Sequence, residues 1–174
     1  MKNSLFAIAV SGLLLGHAAA GTLIPPTIKH SPSQCFYAGE FNVDLISLYA
    51  DPSGDHPGGG LEDGFGGGLG LSYFHTERFG TQFRAYWWDQ DSVIHSVTAS
   101  AVVRFPVERY CLAPYLFGGA GGHFDSVNQV GAHAGAGLEV RLNDRWGIIA
   151  DYTYTWADET EDWNLYTLGL RFTF

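Results

Sequence analysis

The 174-residue sequence carries a formal net charge of −9 and is rich in glycine and aromatic residues, with 23 Gly, 12 Phe, 9 Tyr and 5 Trp. No segment gathers Lys or Arg into a basic patch, which argues against a nucleic-acid partner. Beyond residue 20 no apolar run reaches the roughly 18 residues of a membrane-spanning helix, which excludes a helical membrane protein.

The first 20 residues have the features of an export signal. Lys2 gives a positive start, residues 5–15 are apolar, and Ala18-Ala19-Ala20 offers a cleavage site. An uncleaved anchor helix is the alternative, but the apolar stretch is shorter than the roughly 20 residues of a spanning helix. We therefore predict a signal peptide over residues 1–20 and Sec-type export.

Residues 21–35 are predicted to form an extended periplasmic arm ahead of a single barrel domain over residues 36–174. Cys35 ends this arm, and Cys111 lies far along the chain. After export both cysteines would meet an oxidising compartment, so a disulfide is permitted. The bond requires Cα atoms within about 7 Å of each other, which leaves the pairing open from sequence.

From residue 36 onward, bulky apolar residues alternate with small or polar ones, which is the period of a β-strand. Eight segments show this pattern, over residues 36–49, 64–75, 80–88, 93–105, 114–124, 131–142, 146–156 and 166–174. The last is the clearest, because its even-numbered residues from Tyr166 to Phe174 are all bulky and apolar. In residues 114–124 four glycines leave the facing open.

The bulky face carries aromatic residues at both ends of a strand, as Trp146 and Trp156 illustrate. Such pairs mark the two interfaces of a membrane, which a tilted strand of about ten residues can span. A soluble barrel would also alternate but would turn its charges outward, whereas here the charges share a face with small residues. The sequence therefore predicts an all-β protein, a monomeric eight-stranded antiparallel up-and-down transmembrane β-barrel.

Sorting the charged residues by face gives an inward set with equal numbers of acids and bases. The set is Glu40, Asp44, Glu139, Asp151, Arg84, Arg104, Arg141 and Arg171. Because an unpaired buried charge costs several kcal/mol, we predict a ladder of ion pairs that closes the lumen. Structural filling is the simplest interpretation of this ladder, and a switchable ion gate or a narrow solute pore is the alternative.

The connections between strands are predicted to alternate in length, and the acidic ones all belong to the same alternate set. Those over residues 51–63, 89–92, 125–130 and 157–162 fall together at the end predicted to face the cell exterior. Solvated charge is the simplest interpretation of their carboxylates. The alternative is a site for divalent cations that bridge lipopolysaccharide phosphates, or for an extracellular ligand, because carboxylate oxygens suit hard cations.

Three stretches resemble a known family. They are PYLFGGAG at residues 114–121, GAGLEVRLNDRWG at 135–147 and ADY at 150–152, and they are similar to the membrane domain of OmpA-like and OmpX-like outer-membrane barrels. The resemblance implies an integral protein of the bacterial outer membrane, in contact with lipid and lipopolysaccharide, with a structural or adhesive role. It also implies that Leu170, Phe172 and Phe174 form the signal read by the outer-membrane assembly machinery.

Some barrels of this kind modify lipid A, so such an enzyme is the runner-up function. The nearest candidate pairs are His95 with Ser96 and His123 with Ser126, and the first is disfavoured because adjacent strand residues face opposite ways. The histidines at positions 75, 95, 123 and 133 lack the spacing of metal ligands. The glycine-rich runs fit no phosphate-binding motif. We therefore predict no catalytic, cofactor or metal site.

Overall fold

The computed structural model describes residues 34–52, 64–88, 96–124, 128–157 and 162–174. The predicted signal peptide and most of the predicted arm lie outside these ranges, as do most residues of the acidic connections. The eight strands are β1 Glu40–Pro52, β2 Gly64–Phe74, β3 Phe79–Trp88, β4 Ser96–Arg104, β5 Leu112–Phe124, β6 Asn128–Arg141, β7 Trp146–Ala157 and β8 Trp163–Thr173. In the described part of the chain, no helix is long and apolar enough to cross a membrane.

The strands form a closed antiparallel barrel. Each strand pairs with the next along the chain, and β8 pairs with β1 so that Asp44 lies opposite Arg171. The connections after β2, β4 and β6 lie at the same end as the start of β1 and the end of β8, which we call the turn end. The connections after the odd-numbered strands lie at the opposite end, the loop end. The predicted fold class is confirmed.

Alternation of side chains gives this sheet two different faces. In β8, Arg171 and Thr173 are each 2% exposed, whereas Leu168 is 60% exposed. The same alternation runs along β5, whose facing the sequence left open: Tyr115 points inward and Leu116 outward. The barrel therefore has an apolar exterior and an interior filled by polar, charged, aromatic and aliphatic side chains.

Aromatic residues form a girdle at each end of the exterior. At the turn end the exposed rings include Phe41, Tyr73, Phe79, Phe105, Trp146 and Phe174. At the loop end they include Phe65, Trp87, Phe124, Trp156 and Tyr166. Trp146 and Trp156 are ten residues apart on β7, about 34 Å along the strand, which a 45° tilt reduces to the roughly 25 Å apolar band of an outer membrane.

The first strand begins later than predicted, at Glu40 instead of Phe36. Gly39 adopts a φ of 85°, a left-handed conformation that glycine accepts without strain, and its N–H donates to the carbonyl of Phe74 at 2.7 Å. The chain therefore turns sharply before β1. As a result Phe36 is fully buried instead of lying on a strand, and Tyr37, predicted to face outward from that strand, is half-buried.

Candidate functional site: the charged lumen

All eight of the predicted inward charges lie inside the barrel. Each is at most 7% exposed. They are contributed by six strands: Glu40 and Asp44 by β1, Arg84 by β3, Arg104 by β4, Glu139 and Arg141 by β6, Asp151 by β7, and Arg171 by β8. Barrel closure therefore brings together residues that are up to 131 positions apart in the chain.

Six of these charges form one cluster toward the turn end. Glu139 lies at its centre, with carboxylate oxygens 2.5 Å from Nε of Arg141 and 2.6 Å from Nη1 of Arg171. The carboxylate of Glu40 similarly bridges Arg104 at 2.7 Å and Arg141 at 2.8 Å. No carboxylate of this cluster depends on a single arginine partner except Asp44.

Asp44 and Arg171 pair in a fork geometry. Arg171 donates through Nε and Nη2 to the two carboxylate oxygens of Asp44, both at 2.7 Å. Two parallel charge-assisted hydrogen bonds fix the planar groups in both distance and orientation. Thr173 extends the cluster, since it receives a hydrogen bond from Arg141 and donates one to Asn42 at 2.6 Å.

The remaining two charges form a separate pair near the middle of the barrel. Arg84 donates to both carboxylate oxygens of Asp151, at 2.9 and 2.7 Å. The Tyr115 hydroxyl donates to Asp151 at 2.6 Å. The ring of Tyr115 lies against Gly137, where an added Cβ would come within 2.6 Å of Cβ of Asp151. The glycine of β6 thus makes room for the tyrosine that completes this pair.

Equal numbers of acids and bases leave this interior electrically neutral. Every carboxylate and every guanidinium of the set has at least one ion-pair partner. Pairing of this completeness is what makes buried charge tolerable, because a single unmatched ion would carry a large desolvation cost. The arrangement can fill and rigidify a lumen, and its ion pairs also join strands that are not neighbours, as Arg84 of β3 and Asp151 of β7 do.

The loop-end half of the lumen is uncharged, and its polar residues lie beside a buried apolar cluster that includes Leu48, Trp88 and Leu165. A cavity of about 10 Å³ there is lined by residues that include Ser96, Ser100, His123, His133 and Thr153. Ser100 and Nε2 of His133 lie 2.7 Å apart. Both ring nitrogens of His123 and the Thr153 hydroxyl have no hydrogen-bond partner among the described residues.

Each of the predicted Ser–His pairs has one member outside the described residues, His95 in the first pair and Ser126 in the second. The structure instead brings Ser100 and His133 together, from strands that are not neighbours. Gly119 of β5 lies between them in the register and has no side chain to keep them apart. Nδ1 of His133 has no partner in the described part of the chain, so no carboxylate there completes a triad.

The described residues contain no group of three or more His, Cys, Asp or Glu side chains that could hold a metal ion. His75 lies exposed at the turn end, whereas His123 and His133 point into the lumen.

The three residues of the predicted assembly signal lie on the outer face of β8 or just after it. Leu170 and Phe174 are 48% and 67% exposed, and Phe172 is half-buried.

The cysteines and their neighbours form a feature that alternation alone does not reveal. Cys35 and Cys111 are joined by a disulfide, with Cα atoms 5.4 Å apart. Phe36, next in the chain, is fully buried, and its ring centroid lies 4.9 Å from the guanidinium carbon of Arg104. The turn end of the lumen is thus covered by a residue that precedes the first strand.

Known protein families and solved structures include barrels that are similar to this chain. Residues 6–174 match the family described as outer membrane protein beta-barrel domain. OprG from Pseudomonas aeruginosa aligns with a TM-score of 0.58 and 11% identity, over 83% of this chain and 99% of that one. Ail of Yersinia pestis aligns with a TM-score of 0.58 and 21% identity, over 79% and 99%.

Neisserial surface protein A aligns with a TM-score of 0.55 and 15% identity, over 78% of this chain and 96% of that one. No curated protein sequence matches the chain. At these identities the likeness to solved structures is one of fold. The matches confirm the resemblance to small outer-membrane barrels that the sequence predicted.

Proposed function

Since this chain belongs to the outer membrane β-barrel family, we propose that it is a closed barrel that acts through its outer surface, in adhesion, ligand contact or envelope integrity. It is an integral protein of the bacterial outer membrane. The observation that carries the proposal is the neutral network of eight buried charges, which fills the lumen from the turn end to the middle of the barrel. A lumen filled in this way leaves the exposed connections as the place for recognition.

The orientation follows from the connections. Outer-membrane barrels have short periplasmic turns and longer extracellular loops. The turn end has connections over residues 75–78, 105–111 and 142–145, whereas the longest connection of the loop end runs from 53 to 63. The long connection over residues 53–63 therefore supports an orientation with the turn end in the periplasm and the loop end outside the cell.

Charge is distributed unequally between the two ends. Each turn-end connection pairs an acid with the arginine that follows it, namely Glu77-Arg78, Glu108-Arg109 and Asp144-Arg145. The loop-end segments 51–63, 89–95, 125–127 and 158–162 hold 11 Asp and Glu residues and no Lys or Arg. With the lumen neutral, the negative charge of the barrel domain is concentrated on its extracellular side.

An acidic outer surface selects its partners by charge. One Ail structure contains the heparin analogue sucrose octasulfate, a polyanion, which the carboxylates of the present chain would repel unless cations intervened. We therefore propose divalent cations that bridge lipopolysaccharide phosphates, or a basic extracellular ligand, as the partners of this surface.

Enzymatic activity is less well supported. The Ser100–His133 pair has no described carboxylate behind its histidine, and the cavity beside it, of about 10 Å³, is too small for an acyl chain.

Planar-bilayer recording distinguishes a closed barrel from a pore, because a closed lumen should give no large, stable conductance. Recordings that show such conductance for the wild-type protein would refute the closed barrel.

The surface role is tested in cells. Replacing Asp158, Glu159 and Glu161 by their amides should reduce the protein's Mg²⁺-dependent contribution to resistance against chelators and detergents. The matched control is Asp144→Asn, which removes an exposed acid at the periplasmic end. Equal effects of the loop variant and the control, or no effect of either, would contradict an extracellular cation-dependent role.

A further inference from the structure

Residues 35–39 form a short segment that closes the periplasmic end of the lumen, and we call it the N-terminal clasp. Phe36 is its buried residue, with no exposed surface. Its ring lies over two members of the ion-pair cluster, 4.9 Å from the guanidinium carbon of Arg104 and 5.4 Å from that of Arg141. Phe74 covers Arg104 from another side at 3.7 Å. Phe36 therefore covers both guanidinium groups on the periplasmic side, and Phe74 adds a second ring over Arg104.

Polar contacts position the clasp from within the barrel. The Tyr37 N–H donates to the Glu40 carboxylate at 2.7 Å, and Arg104 donates to the Tyr37 carbonyl at 3.2 Å. The acceptor Glu40 is itself paired with Arg104 and Arg141. The clasp is thus continuous with the ion-pair cluster, so that movement of Phe36 would change the surroundings of three lumen charges.

A second set of contacts fastens the clasp from outside the barrel. Cys35 is bonded to Cys111, which ends the turn between β4 and β5. In the same turn, Glu108 accepts a hydrogen bond from the Cys35 N–H at 2.6 Å. Both cysteines are half-buried at the periplasmic rim and not enclosed in the lumen. The fastening is therefore covalent, and it lies at the edge of the structure where a soluble thiol can approach.

We propose that the Cys35–Cys111 disulfide is a thiol–disulfide exchange site for a periplasmic dithiol, and that its state controls whether Phe36 covers the ion-pair cluster. A thiolate of the dithiol attacks one sulfur, the Cys35–Cys111 bond breaks, and a mixed disulfide forms. The second thiolate of the reductant then attacks this mixed disulfide and releases the barrel cysteine that it holds. The barrel gains two thiols and the reductant becomes a disulfide, so two electrons and two protons are transferred.

Reduction leaves Phe36 held only by non-covalent contacts. Water can then reach Arg104, Arg141 and Glu40, whose ion pairs weaken as they become hydrated. The loop-end half of the lumen does not contact the clasp and keeps its structure. The proposal goes beyond the surface role of the outer loops, and it holds or fails independently of what those loops bind.

Hydrogen exchange of backbone amides in lipid nanodiscs tests the control of Phe36. The folded protein is compared in its oxidised form and after reduction with dithiothreitol and alkylation. Reduction should accelerate exchange at Tyr37 and Gly39 by about tenfold or more through local opening, and leave Thr153, in the loop-end half, within about twofold. Unchanged exchange at Tyr37 and Gly39 would refute the control of Phe36. Acceleration of exchange by the same factor at all amides would also overturn it, because the disulfide would then stabilise the whole barrel and not the clasp alone.

Two variants distinguish the effect of the Phe36 ring from the effect of the Cys35–Cys111 disulfide. Cys35→Ser with Cys111→Ser should reproduce the reduced protein, and the reduced wild type, folded before reduction, serves if this variant does not assemble. Phe36→Ala with the disulfide intact should accelerate exchange at Arg104, whose amide donates to the carbonyl of Arg78. Unchanged exchange there would show that the ring does not exclude water from the cluster.

The exchange step itself is measured by the rate of reduction. Dithiothreitol should reduce the disulfide of the folded barrel within about tenfold of its rate in the urea-unfolded chain, because access governs exchange rates. A folded protein that reacts about a hundredfold more slowly than the unfolded chain would refute an exchange site.

Discussion

The Arg84–Asp151 pair allows a direct measurement of what the lumen charges contribute. It is separate from the six-residue cluster, and its charged atoms meet at 2.9 and 2.7 Å with side chains 2% and 0% exposed. Replacing Asp151 by Asn keeps the shape but leaves Arg84 as a buried, unpaired cation. We expect a loss of about 3–5 kcal/mol in the free energy of unfolding, as for other broken buried pairs.

The double variant gives the opposite expectation. Arg84→Met with Asp151→Leu removes both charges together, so no ion is left unpaired and the cost should be small. The cycle is completed by the single variants Arg84→Met and Asp151→Leu. The difference between the free-energy loss of the double variant and the sum of their two losses is the coupling energy, expected to be about 3 kcal/mol or more. Removal of the pair is therefore expected to be far less damaging than removal of either half.

Urea unfolding of the refolded barrel in lipid vesicles, followed by tryptophan fluorescence, provides the assay. A loss of about 4 kcal/mol should move the midpoint by roughly 2 M at an m-value near 2 kcal/mol/M. Arg78→Gln, which removes an exposed arginine from the turn after β2, is the control and should change little. If the free-energy losses of the two single variants simply add in the double variant, the two charges are not coupled. The reasoning from ion pairing is then refuted.

Three further variants test neighbouring features by the same unfolding assay or by yield. Tyr115→Phe removes the 2.6 Å hydrogen bond to Asp151 and should cost about 1.5–3 kcal/mol, the range for bonds to charged groups; no measurable loss would show that the bond is unimportant. Thr153→Val should leave stability unchanged or raise it, because the buried hydroxyl has no described partner, and a clear loss would contradict this. Phe174→Ala should lower insertion by the assembly machinery in cells while leaving the unfolding midpoint of refolded protein nearly constant, since the ring is 67% exposed; normal insertion would refute the assembly-signal hypothesis.

The inward set of charges could be predicted from sequence because a strand has a period of exactly two residues. Once the apolar face of β8 is assigned to lipid, Arg171 must point inward, and the same reasoning applies to Arg84 and Glu139. Which carboxylate each arginine meets could not be predicted in this way. Arg84 and Asp151 lie on β3 and β7, and their contact depends on how the whole barrel closes.

Other features were missed because they depend on single glycines. Gly39 takes a positive φ and turns the chain ahead of β1, so Phe36 enters the lumen although alternation placed it on a strand. Gly119 lets Ser100 and His133 meet across an intervening strand. In a glycine-rich sequence with 23 such residues, alternation does not reveal which of them permits a close approach.

Filling the lumen with charges in place of apolar side chains also determines the register of the barrel. A slip of one residue in a strand would turn its inward side chains toward lipid. For Arg84, near the middle of the membrane, exposure to lipid costs about 2–4 kcal/mol, and the abandoned carboxylate adds its own penalty. At the closing seam Asp44 lies directly opposite Arg171, so a shift of β8 against β1 would separate an ion pair and expose an arginine at once. Apolar residues at the same positions would carry no such penalty, because they tolerate lipid as well as they tolerate the lumen. The charges therefore select one closed register, even where their net contribution to stability is small.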